Sequence, residues 1–230
     1  MNLALLGLEN VVTISLFVLA IIVTTYAQFK IKSSYGMYKK VKTKYTGLAV
    51  AREILDKNGL SNVRVVQTKG ELTDHYDPSR KVVRLSEHIY NANSIAAVSV
   101  AAHEVGHAIQ DKDGYIFMRI RAMLVPVVRL VTYLGYFSIF VAFIAGLTGY
   151  LLIGIYILLA TFVFQLVTLP VEFDASKRAR AELEKYNFIT EDEKVKVKNM
   201  LGAAALTYVA GMIATLLNIL RLLIMLRGRD

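Results

Sequence analysis

His103-Glu104-Val105-Gly106-His107 is the stretch on which the reading of this chain turns. Residues four apart share one face of an α-helix, so His103 and His107 can offer two imidazole nitrogens to one metal ion. Glu104 starts the next step round the helix and can reach a water bound to that ion. The spacing is the H-E-x-x-H pattern, a metal pair beside a general base. The competing reading is a helix carrying two satisfied histidines, from a total of four in the chain. There is no cysteine. Thiolate ligands are therefore excluded, and zinc would be held by His and carboxylates.

The residues around the motif predict a helix from the N-cap Ser94 to about Gln110. Ala96, Ala97, Ala101, Ala102 and Gly106 keep it slim, which suits close packing against neighbouring helices. Upstream, Thr46 caps a helix through Lys57, and Asn58-Gly59 stops it. Val63 to Thr68 reads as a short strand. Leu72 to Tyr76 and Lys81 to Leu85 read as a hairpin around Asp77-Pro78-Ser79-Arg80, and Ser86 as a further N-cap.

Farther out, hydrophobic residues make up 55% of the chain and gather in runs. Val11 to Ala27 is long enough, with its flanks, to span a bilayer. No Lys or Arg precedes it, so it reads as an uncleaved anchor rather than a signal peptide. Val125 to Gly146 and Leu147 to Leu169 form a transmembrane hairpin, turning at Gly146, Thr148 and Gly149. Thr190-Glu191-Asp192-Glu193 is a capping box opening a helix that runs into Leu201 to Leu226. Asn218 and Arg221 interrupt that fourth run, which either crosses the membrane or lies partly against the other helices.

The expected fold is a mainly α membrane protein with about four transmembrane helices and a small α+β, zincin-like (gluzincin-like) catalytic domain containing a short β-hairpin or sheet. The expected domains are an anchor at 1–29, a catalytic domain at 30–123, a transmembrane hairpin at 124–170, a third-ligand segment at 171–199 and a C-terminal membrane helix at 200–230.

Net charge is +9. Lys30, Lys32, Lys39, Lys40, Lys42 and Lys44 form a basic collar after the anchor. The positive-inside rule places Lys30 to Arg121 in the cytoplasm, and the hairpin returns Glu172 to Asn199 to the same side. No nucleic-acid motif accompanies the charge, so no nucleic-acid partner is expected.

A catalytic zinc takes three protein ligands and keeps one position for water. Val171-Glu172-Phe173-Asp174-Ala175-Ser176, read as the head of a helix just past the hairpin, supplies the third: Glu172, with Asp174 in reserve. His75 and His88 are the other candidates. The implied chemistry is peptide hydrolysis by a zinc-activated water, with Glu104 as base and then acid. His75 or Tyr76 would stabilise the oxyanion, and Asp174 and Asp77 would orient the histidines. The hairpin could lend an edge strand to an extended peptide.

Five blocks then carry a resemblance: Thr73-Asp74-His75-Tyr76-Asp77-Pro78, Val83-Arg84-Leu85-Ser86, Ala101 through Gln110, Leu169-Pro170-Val171-Glu172-Phe173, and Ala205-Leu206-Thr207-Tyr208-Val209-Ala210. In this order they resemble the YugP-type bacterial membrane zinc metallopeptidases over nearly the whole chain. The resemblance implies a multi-pass protein of the bacterial cell membrane and a neutral zinc peptidase, with His103 and His107 as ligands and Glu104 as catalytic base. The chain is more distantly similar to the HtpX and CAAX-processing membrane proteases. There the ligand Glu is usually followed four positions later by Asp, a place held here by Ser176.

The expected function is thus a membrane-integrated zinc endopeptidase with one Zn2+ per chain, a polypeptide substrate and its site at the cytoplasmic face. A second copy or another membrane protein is an open partner. The alternative is a non-enzymatic scaffold or adaptor using the same fold. Intramembrane proteolysis of the site-two type fits poorly, because Ile95 to Ile109 is short and is bounded by Glu87-His88 and Asp111-Lys112-Asp113.

Overall fold

The computed structural model describes residues 3–145 and 150–227. The predicted turn at Gly146, Thr148 and Gly149 lies outside the described residues. The chain runs α1 (Leu3–Tyr38), α2 (Gly47–Lys57), β1 (Arg64–Thr68), β2 (His75–Asp77), β3 (Val82–Ser86), α3 (Glu87–Tyr90), α4 (Ile95–Lys112), α5 (Ile116–Ile144), α6 (Tyr150–Lys185) and α7 (Glu191–Arg227). Four of these helices are long and apolar enough to cross a membrane, over Glu9–Tyr38, Ile116–Ile144, Tyr150–Lys185 and Glu191–Arg227. The protein is a multi-pass membrane protein with a small sheet, as the apolar runs predict.

The described residues fall into two compact units. One draws on Met1–Gln28, Ile120–Leu169 and Thr207–Asp230, and the other on Phe29–Arg119 and Pro170–Leu206. The first exposes large apolar side chains such as Tyr133, Phe137, Phe140 and Phe143. Within it Arg221 stacks its guanidinium 4.7 Å from the centre of the Phe17 ring. The second encloses a continuous core in which Ile54, Leu55, Val83, Leu85, Ile95, Val105 and Leu183 are buried.

Local chemistry in the second unit follows the sequence closely. Thr46 caps α2 by accepting from the Ala49 N–H, and Ser94 caps α4 by accepting from the Ala97 N–H. Gly59 takes the left-handed φ of +71° that ends α2's exit. Asp77 Oδ1 accepts from the Ser79 and Arg80 N–H groups, which fixes the β2–β3 turn. The Glu193 arm of the capping box also forms, with the Thr190 N–H donating to Glu193 Oε2 at 2.8 Å.

Three readings change. The first hairpin strand starts at His75 rather than Leu72, because Leu72 sits at φ +58°, outside the extended region. Ser86 precedes α3 without capping it; its hydroxyl donates to Asp74 instead. Glu172 is not at the head of a helix. α6 is continuous from Tyr150 to Lys185 and carries Pro170 inside it, where the ring costs the helix one N–H donor.

The sheet order is β1-β3-β2, with β1 parallel and β2 antiparallel to β3. In α4, Ala96, Ala97, Ala101 and Ala102 are all buried. Gly106 is the tightest point: a Cβ there would lie 2.6 Å from the Ala175 carbonyl oxygen. That clearance lets α4 and the Pro170–Lys185 part of α6 touch through their backbones.

Gly106→Ala is expected to force the two helices apart and cost about 1–3 kcal/mol. The cost should appear as an earlier thermal transition in detergent. Gly202→Ala, where no heavy atom lies within 4 Å of the new methyl, should lose nothing.

Candidate metal centre

The tight contact at Gly106 brings one carboxylate to two imidazoles. Glu172 Oε2 lies 3.3 Å from His103 Nε2 and 3.7 Å from His107 Nε2. The ligand atoms of all three lie within 4.8 Å of one another. Two ligands bound at about 2.1 Å to a tetrahedral zinc stand about 3.4 Å apart, so the His, His, Glu set matches both the donor chemistry and the spacing of such an ion. The imidazoles meet edge to face, with centroids 4.8 Å apart.

Each imidazole has its second nitrogen held. His103 Nδ1 is 3.2 Å from Ser176 Oγ, and His107 Nδ1 is 3.0 Å from Gln110 Oε1. The amide oxygen can only accept, so His107 donates from Nδ1. Nε2 is the nitrogen turned toward Glu172, and the one that a neutral ring offers to a metal. Ser176 can accept in the same sense from His103. Four positions past Glu172, Ser176 thus sets a hydroxyl against the His103 ring.

Gln110 went unnoticed as a site residue in the sequence. It is fully buried, and its Nε2 donates to the Val171 carbonyl at 2.8 Å and to Asp174 Oδ2 at 2.9 Å. Arg178 Nε donates to the same Asp174 oxygen at 2.6 Å, and Arg178 Nη1 reaches Asp113. Asp174 thus acts on His107 through Gln110 rather than directly. The signal available in the sequence was the i, i+3 spacing from His107, which puts Gln110 on the same face of α4.

The other candidates sit as follows. Glu104 is buried, and burial pushes its carboxyl up to about 7. The His103 charge and the Tyr76 backbone N–H oppose that rise, and the Glu172 and Asp74 charges add to it. His75 is exposed on β2 and donates from Nδ1 to the Thr73 carbonyl at 2.8 Å. Tyr76 gives its hydroxyl proton to Asp111 at 2.7 Å. Asp77 serves the β2–β3 turn, not the histidines. His88 lies on α3, outside the cluster.

Comparison with known proteins gives the family. A family model described as "Putative neutral zinc metallopeptidase" matches residues 13–227. The "Putative membrane protease YugP" of Bacillus subtilis (strain 168) is 44% identical over 220 residues, covering 94% of this chain and 98% of that protein. No solved structure matches the chain.

Gln110→Ala removes an acceptor from His107 and two donors from α6. Zinc affinity should fall about 10–100-fold in a competition titration, with His103 and His107 both still present. A second expectation concerns the metal-free protein. A carboxyl with a raised folded-state pKa binds its proton more tightly folded than unfolded, so stability declines as pH rises from 4.5 toward 7. Glu104→Gln should abolish that decline and gain up to about 3 kcal/mol over wild type at pH 8, with no gain at pH 4. Paired melts at the two pH values measure it.

Proposed function

We propose that this chain, which belongs to the family of neutral zinc metallopeptidases, is a membrane-integrated zinc endopeptidase. It would cut membrane or membrane-proximal polypeptides at the cytoplasmic face of a bacterial cell membrane. The observation that carries the reading is the convergence of His103, His107 and Glu172 next to a buried Glu104. His103 Nε2, His107 Nε2 and Glu172 would hold one zinc ion. When bound, zinc supplies a lowered water pKa and polarisation of the scissile carbonyl.

The remaining work falls to side chains. Glu104 takes the proton of the attacking water and hands it to the leaving amine. A carboxyl that titrates near neutrality can do both. Ser176 and Gln110 hold the imidazole rings in the orientation that points Nε2 inward. β2 is an edge strand of the sheet, so an extended peptide can add alongside it. His75 would stabilise the carbonyl oxygen. Its Nδ1–H is already given to Thr73, so it donates from Nε2 only as the imidazolium.

The positive-inside rule supports a cytoplasmic site, through the lysines that follow α1 and the basic residues of the α6–α7 region. The identity with a relative from Bacillus subtilis supports a bacterial membrane.

The test is metal analysis paired with proteolysis of a reconstituted membrane-protein substrate. Glu104→Gln should keep about one zinc per chain and lose at least about 100-fold in rate. His103→Ala and Glu172→Ala should lose both metal and activity. His75→Ala should keep the metal and lose about tenfold. A wild type that is fully metal-loaded and cuts no such substrate would instead favour a scaffold role.

A further inference from the structure

A second polar site lies where α1 ends. A cleft of about 630 Å3 is lined by Tyr35 of α1, by Lys39, Lys40 and Lys42 just after it, and by Glu71, Glu87 and His88. Tyr35 is 4% exposed, and its hydroxyl has no hydrogen-bond partner among the described residues. The Tyr35 hydroxyl is therefore walled off from the cleft, and burial together with the Glu71 and Asp74 charges pushes its pKa up to about 12. The lysines are under-used. Lys40 makes no ion pair among the described residues, and Lys42 donates only to the neutral Asn93 Oδ1 at 3.2 Å. Lys39 approaches Glu71 loosely, at 3.9 Å, and lies 5.6 Å from the centre of the Tyr35 ring.

We propose that this cleft binds a phosphate-bearing anion. Three ammonium groups match the oxygens of a phosphate, and the exposed carboxylates of Glu71 and Glu87 can accept from hydroxyls carried beside it. Tyr35 lies five residues past Lys30, about 7.5 Å along the helix from the first charge after the apolar run of α1. That distance is on the scale of the headgroup layer. The phosphate can therefore come from an anionic phospholipid or from a soluble phosphate ester, and both present the same oxygens. Basic pockets bordering transmembrane helices are suited to such headgroups. The site stands apart from the peptidase reading and does not depend on it.

The experiment is native mass spectrometry of the full-length protein with dioleoylphosphatidylglycerol, dioleoylphosphatidylcholine or glycerol 3-phosphate. Phosphatidylglycerol should be retained over phosphatidylcholine. Lys40→Gln combined with Lys42→Gln should weaken retention at least about tenfold. Lys30→Gln combined with Lys32→Gln, the same charge change outside the cleft, should leave it intact. Competition by millimolar glycerol 3-phosphate would assign a soluble source, and its failure would assign the lipid. Equal losses in the two lysine pairs, or phosphatidylcholine retained as strongly as phosphatidylglycerol with no binding of glycerol 3-phosphate, would overturn the proposal.

Discussion

A single buried carboxylate facing two imidazoles is the constraint around which the second unit is organised. The Glu172 side chain is 3% exposed, and its Oε2 is shared between His103 and His107. An ionised carboxylate in such a place carries a desolvation cost of several kcal/mol and needs positive charge beside it. Burial pushes the Glu172 carboxyl up, but hydrogen bonds from the His103 and His107 rings outweigh it and hold the carboxyl below the usual range. A divalent cation would supply positive charge at the same place, and the three groups are spaced to share one. The missing side chain at Gly106 and the buried alanines of α4 follow from this demand, since they let the helix carrying Glu172 come close enough.

Gln110 shows why the surrounding layer takes the form it does. His107 Nδ1–H needs an acceptor, whereas the Val171 carbonyl and Asp174 need donors. A primary amide satisfies both demands from one position, and a carboxylate would serve only the first. Arg178 then joins Asp174 to Asp113, so the far end of α4 is tied to α6 by charge as well as by packing. The imidazole, amide, carboxylate and guanidinium form one chain of donors and acceptors, each fixing the next.

Much of this was legible because the signals are local. The H-E-x-x-H spacing needs only helical periodicity. The apolar runs need only length, and the caps at Thr46 and Ser94 need only a hydroxyl before a helix. Glu172 could be preferred because it follows the membrane hairpin on the side of the motif, with Asp174, His75 and His88 left as alternatives. Its setting could not be read, because Pro170 reads as a helix break and here lies within a continuous helix. The parallel pairing of β1 with β3 depends on contacts across the unit rather than on any turn, so the strands were readable and their order was not. Gln110 escaped for a chemical reason: ring orientation is usually sought from carboxylates, and an amide is equally able to provide it.

The cluster joins residues 69 positions apart in the chain, and the intervening segment contains all of α5 and the first part of α6. A nascent polypeptide that has emitted α4 therefore holds a histidine pair without its acidic partner. On the proposed function, cutting has to await synthesis and bilayer insertion of the intervening hydrophobic segments, and a half-made chain on the ribosome is harmless to its surroundings.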